Sequence, residues 1–232
     1  MVRNLRNATL RREVADLFLE SIMQGKLRPG ERIIQSKLAR DLGVSHSALR
    51  EGLLDLERQG LVTKEDRRFT RITSLDSQEI EDAYEMRLMF EPQAAVSASK
   101  NFTPEHFAKL ESFLQEMREA GSRKEFAAYN RNDLAFHQLI WKLSGRKGIE
   151  RALTAVATPV FSFGTIELSL PRPQADFNYV KNCEDHMILI NTLKKGGPEE
   201  VRRVFEEKLG VFRKRYVDGL RKVQAQRAEA NK

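Results

Sequence analysis

Apolar positions along this chain follow two regimes. Leu10, Val14, Leu17, Phe18 and Ile22 recur every three or four residues, which predicts a helix ended by Gly25 and followed by a turn at Arg28-Pro29-Gly30. A short second helix is expected from about Ser36 to Leu42, with Leu38 and Ala39 inward and Gly43 as its stop. Ser45 suits the N-cap of a third helix, whose Leu49, Leu53 and Leu56 form an inner stripe before Gly60. Leu61 to Thr73, "LVTKEDRRFTRIT", then reads as two β-prone runs joined by a charged turn at Lys64 to Arg68, a hairpin. From Leu75 onward only the helical period recurs. Ile80, Tyr84, Leu88, Ala94, Ala95 and Ala98 line one helix. Thr103-Pro104 opens a second that Gly121 closes, and Ser122-Arg123-Lys124-Glu125 has the form of a capping box for a third ending at Gly145. Three more are expected over about 148–170, where Pro159 should kink or split the helix, 176–195 and 198–227. The predicted class is mainly α: a small helix-and-hairpin domain over residues 1–74, then an all-α helical bundle over 75–232.

Composition narrows the class further. The 232 residues are 41% apolar and 31% charged, as in a soluble globular chain long enough for two cores. The net charge of +7 is unevenly placed: residues 1–73 carry 15 Lys/Arg against 10 Asp/Glu, a bias that suits a polyanion partner for the smaller domain. Cys183 is the lone cysteine, so no internal disulfide can form and a reducing, cytoplasmic setting is expected. No apolar run approaches the roughly 18–20 residues that cross a bilayer. The N-terminal stretch also lacks the apolar core of a secretory signal.

The polar run Ser45-His46-Ser47 is foreign to a core helix. Two short helices joined by "LGVS", the second starting with polar side chains, have the pattern of a helix-turn-helix whose second helix enters the major groove of double-stranded DNA. Ser45, His46 and Ser47 stand at its leading end, and Arg50 one turn on can fork onto guanine or clamp a phosphate. Arg67, Arg68 and Arg71 on the hairpin are placed as a wing beside the groove.

These residues resemble the winged helix-turn-helix domain of the GntR family of bacterial transcription regulators. The match spans about 60 residues, with Gly25, Pro29-Gly30-Glu31, Leu38-Ala39, Gly43-Val44-Ser45, Arg50-Glu51 and Gly60-Leu61-Val62 in register. Where the family commonly has Ser-Arg-Thr-Pro, this chain has Ser45-His46-Ser47-Ala48. Ser36, followed by Lys37, replaces a frequent basic residue, and Phe69 or Arg68 stands at the wing-tip glycine. An altered operator preference is expected, with more of the affinity carried by phosphate contacts.

In the bundle, the informative residues are polar ones on inward stripes. Arg87 falls among Ile80, Tyr84 and Ala94, with Glu91 one turn on, a spacing that also makes a plain intrahelical ion pair. Asp133 and His137 share a face with Ile140 and Trp141. His186 lies in the row Tyr179, Cys183, Ile190, Leu193, and Lys208 lies amid Val201, Val204, Phe205 and Phe212. An unpaired ion in a core costs several kcal/mol, so these groups should converge on one another or on a ligand. Asp133 and His137, four apart, can both reach one metal ion such as zinc or nickel, with His186 as a third ligand.

"YEMRLMFEPQAA", "NDLAFHQLI" and "EDHMILINTL" resemble the FadR-type C-terminal domain, the effector-binding domain of one GntR subfamily. The resemblance implies a homodimer and, in metal-binding members, an Asp-x3-His pair with two later histidines. Asp133, His137 and His186 match three of these, but the fourth is Lys208. An ammonium repels a divalent cation, so the expectation is a site without a metal cofactor, in which Arg87, Asp133, His137, His186 and Lys208 bind a small carboxylate effector. The expected function is a ligand-responsive repressor on a short pseudo-palindromic operator. A metal-sensing regulator is the alternative. A metal-dependent helical enzyme is a third reading, but it leaves residues 1–73 unexplained and no nucleophile or general base is evident, so no catalytic activity is expected.

Overall fold

Val14, Phe18 and Ile22, the first apolar stripe, are helical and fully buried, whereas Leu17 at the same spacing is 38% exposed. The computed structural model describes residues 14, 17, 18, 20–22, 26–65, 69–169 and 179–230, and the chain divides into two units, Met1–Leu75 and Asp76–Lys232. Leu10, Gly25, Arg67 and Arg68, for which roles were expected, lie outside the described residues.

In the first unit, α1 spans Gln35–Asp41 and α2 spans His46–Arg58. Gly43 makes the turn between them in the left-handed region, φ 67°, which a side chain rarely adopts. Ser45 caps α2, its Oγ accepting from the Ala48 amide at 3.2 Å. Ala48, Leu49, Gly52, Leu53 and Leu56 face inward from α2. The expected hairpin is present as β2, Val62–Glu65, and β3, Phe69–Ile72, with Val62 opposite Ile72 and Lys64 opposite Thr70. A two-residue strand that periodicity cannot reveal, β1 at Arg32–Ile33, pairs with β3 and gives an antiparallel sheet of order β1-β3-β2.

The second unit consists, among the described residues, of α3 Ser77–Ala98, α4 Pro104–Ser122, α5 Phe126–Leu143, α6 Lys147–Ser169, α7 Tyr179–Lys195 and α8 Pro198–Ala230. Thr103 and His106 form a capping box at α4. The box expected at Ser122–Glu125 does not form, because α4 runs on through Ser122, whose hydroxyl donates to the Glu119 carbonyl at 2.7 Å. Lys124 then turns with φ 58° and Glu125 caps α5 without a side-chain bond. Gly121 therefore does not end its helix. A Cβ there would stand 3.2 Å from that of Tyr179, so its bare backbone admits α7. α6 runs as one helix across Pro159, where a kink or a split was expected, so the split does not occur; Ala157, Val160 and Phe161 around it are buried, and packing outweighs the lost backbone bond. α3 packs against α5, α6 and α8, while α4 packs against α5 and α7. The larger apolar core joins Leu114, Met117, Tyr129, Phe136, Ile190 and Phe205, and a smaller one gathers Ala94, Trp141, Leu153 and Phe161. No described helix is long and apolar enough to cross a membrane.

Gly52 is the tightest contact of the first unit: a Cβ there would lie 2.3 Å from Cγ1 of Val14. Gly52→Ala gains about 1 kcal/mol in helix propensity but overpacks by about 1–3 kcal/mol, so a net loss of about 1 kcal/mol is expected. Urea denaturation checks this. Equal or greater stability would mean that Val14 yields.

Candidate functional site

The leading end of α2 is open to solvent. Ser45, His46, Ser47 and Arg50 are exposed, and among the described residues the side chains of His46, Ser47 and Arg50 make no ion pair or hydrogen bond. Lys37 is likewise exposed on α1. Other cations nearby are already committed. Lys64 pairs with Glu57 at 2.6 Å, Arg58 with Asp55, and Arg40 approaches Asp41 at 3.9 Å. Arg71, expected as a wing contact, donates to Glu65 at 2.7 Å and to the Gly30 carbonyl at 3.2 Å. His46, Ser47 and Arg50 thus present uncommitted donors at the leading end of α2.

In the second unit the inward polar residues converge. Arg87, Glu91, Asp133, His137 and His186 are all at most 5% exposed. On α3, Nε of Arg87 donates to Oε1 of Glu91 at 2.5 Å, and its guanidinium lies over the rings of Tyr84 and Phe161 at 5.0 and 4.7 Å. Asp133 and His137 come from α5, one turn apart, with Nε2 of His137 3.5 Å from Oδ1 of Asp133. The same Oδ1 lies 2.9 Å from Nε2 of His186 on α7. Nδ1 of His186 lies 2.8 Å from the Asn182 carbonyl, which can only accept, so the Nδ1 proton is fixed and Nε2 is turned to the site.

The electrostatics follow from these pairings. Burial pushes the Asp133 carboxyl up, but the charge and hydrogen bond of His186 outweigh it and hold it below the usual range. Burial pulls His186 down, and Asp133 more than restores it, leaving the imidazole raised. Burial raises Glu91 as well, but Arg87 and then His137 bring it to about 2.

Lys208 sits at the edge of this group. Its Nζ lies 3.3 Å from Asp185 and 3.5 Å from Glu207, so its charge is matched beside the site. A cavity of about 30 Å³ is bordered by Arg87, Asp133, His137, His186, Asp185 and Lys208. That space suits a water molecule or a single ion, and an organic acid needs more. Asp133, His137 and His186 offer ligand atoms all within 4.8 Å of one another, a donor set of one carboxylate and two imidazoles that could hold a metal ion. Sequence reasoning missed Asn182 and Tyr129: the Asn182 amide donates to the Tyr129 hydroxyl at 2.5 Å and faces Asp133 at 3.5 Å. The available signal was a polar residue one turn before His186 on its buried face. Asp185 carried no such signal.

A winged helix-turn-helix unit with an open helix tip, followed in the chain by an all-helical unit with a buried polar site, defines a class of ligand-responsive DNA-binding regulators, not enzymes. Residues 10–72 match the model of the bacterial regulatory proteins of the gntR family, and residues 82–210 match that of the FCD domain. The chain belongs to the GntR family, in the branch that carries an FCD domain, the FadR-type C-terminal domain. It is 25% identical over 199 residues to a probable D-xylose utilization operon transcriptional repressor of Paenarthrobacter nicotinovorans, covering 85% of this chain and 84% of that one. It is 32% identical over 136 residues to the HTH-type transcriptional regulator YdhC of Bacillus subtilis, covering 58% of this chain and 61% of that protein's length. The fold matches that of Escherichia coli McbR/YncC with a TM-score of 0.71 at 21% identity, covering 87% of this chain and 93% of the other.

The Asp133–His186 pair carries a pH signature. His186 is raised above its ordinary 6.5, so its contribution to stability is complete below that pH and is lost as pH rises through the raised value. Asp133 is depressed below 3.8, so its share is present above that pH and is lost only as pH falls through the depressed value. Urea midpoints measured with chelator present should therefore fall on the alkaline side of the histidine range, and His186→Gln should flatten that limb. An identical alkaline limb in the variant would show that the pair does not carry it.

Proposed function

We propose that this chain is a metal-responsive repressor that binds a short pseudo-palindromic operator in double-stranded DNA as a homodimer in the cytoplasm, with a zinc or nickel ion among Asp133, His137 and His186. The observation that carries the ion is the approach of three buried ligand atoms to within 4.8 Å of one another. When bound, such an ion would supply a fixed positive centre among these three side chains, in a cavity of about 30 Å³ that suits a single ion. The repressor role draws support from the relative in Paenarthrobacter, which is named as one. A dimer suits a symmetric operator, since each winged unit then reads one half. Whatever occupies the bundle site acts on DNA affinity only by binding one arrangement of the protein better than another.

A second reading, a small carboxylate bound without metal, is favoured by one observation. Nη1 of Arg87 is buried with no hydrogen-bond partner, and Arg87 and Lys208 both border the cavity. The 30 Å³ volume weighs against it.

Arg50→Ala should weaken operator binding by roughly tenfold or more, the value of about 1–3 kcal/mol for a lost base or phosphate contact, and should make the affinity less steep in salt. Equal affinity in fluorescence anisotropy would remove the α2 tip from the interface. Zinc or nickel should bind the wild-type protein in calorimetry and shift its operator affinity, and His137→Ala should lose both responses. Indifference to either ion, together with a response to small carboxylates that Lys208→Ala abolishes, would favour the second reading.

A further inference from the structure

We infer that Glu91, braced by Arg87, is the residue that orients His137 toward the buried site; the inference rests on the proposed ion-binding role of that site. The two site histidines reach their orientation by different means. His186 is set by its own helix, through the Asn182 carbonyl at 2.8 Å. For His137 it is Oε2 of Glu91, on α3, that faces Nδ1, at 3.1 Å, while Nε2 faces Oδ1 of Asp133 at 3.5 Å. An ionised carboxylate accepts and never donates, so Glu91 selects the ring form with its proton on Nδ1 and presents the Nε2 lone pair to the site.

The geometry is incomplete in an informative way. Nδ1 of His137, Oε2 of Glu91 and Nη1 of Arg87 are all buried without a hydrogen-bond partner, although the first two stand 3.1 Å apart. Buried orphan atoms are rare and costly, which favours a proton on Nδ1 shared with Oε2. The carboxylate cannot follow the ring freely. Its other oxygen is bound to Nε of Arg87 at 2.5 Å, and that guanidinium is held by the faces of Tyr84 and Phe161. Glu91 is therefore a fixed post for His137. An intrahelical ion pair with no further role would have no need of an oxygen directed at a neighbouring helix. Arg87, expected to touch the effector, acts here through Glu91 as a positioning residue.

The test is the ring tautomer of His137, read from imidazole 15N shifts of the metal-free protein at a pH where the ring is neutral, alongside zinc affinity from chelator competition. The wild type should show the proton on Nδ1 of both His137 and His186. The double variant Arg87→Met/Glu91→Leu removes both charges together, so no uncompensated ion stays buried. In it, His137 should move largely to the Nε2-protonated form while His186 keeps its own, and zinc should bind roughly 10–100-fold more weakly. Should the double variant fail to fold, Glu91→Gln replaces it: one amide oxygen then serves two donors, and His137 should populate both tautomers. An unchanged His137 tautomer with unchanged zinc affinity in whichever variant folds would overturn the positioning role. A tautomer shift in a protein whose wild type binds no zinc would uphold that role and remove the metal reading.

Discussion

Charge buried in a helix bundle has to be matched within a few ångströms, and the second unit of this protein is arranged around that demand. Five ionisable side chains lie at its centre with at most 5% exposure. Stranding any one would cost several kcal/mol. α3 arrives with a ready-made pair in Arg87 and Glu91. α5 brings Asp133 and His137, which need partners from α7 and α3, and finds them in His186 and Glu91. Apolar contacts in the two clusters supply the bulk of the stabilisation but tolerate small slips between helices. The hydrogen bond between His186 and Asp133 at 2.9 Å is less tolerant, and it ties α7 to α5.

The first unit handles charge in the opposite way. Its apolar stripe closes the interior, and charge is left outside to be sorted by local pairing. Lys64, Arg58 and Arg71 are each matched by a carboxylate close by, which lowers the general attraction for a polyanion. Arg50 and Lys37 on the two helices, with His46 and Ser47, are exposed without such a partner among the described residues. Selectivity in such an arrangement comes from a few uncommitted donors on one rigid tip.

The helices of both units were legible because their apolar residues keep a 3.6-residue period, and the same period exposed Arg87, Asp133, His137 and His186 as misplaced polar residues. β1 was hidden because two residues carry no period. The turn before α5 misled because Lys124, a residue with no special tolerance for positive φ, takes the left-handed conformation, and a serine that suits a cap is spent inside the preceding helix. Gly121 was read as a helix stop when its use is to admit Tyr179, a contact with a residue 58 positions away that no local pattern encodes. The direction of the Lys208 head group depends on Asp185 from another helix, so its departure from a histidine pattern was visible and its consequence was not. Glu91 shows the same limit: its pairing with Arg87 follows from spacing, but its second oxygen answers to α5.

The hydrogen bond from His186 to the Asn182 carbonyl joins a ring to the helix that carries it, one turn back along the same α7. The imidazole and its helix consequently behave as a single stiff lever. A swivel of the ring would break that bond, and the same helix meets Gly121 at its N-terminal end through Tyr179. His137 differs in that the group facing its Nδ1 is Glu91, on a neighbouring helix.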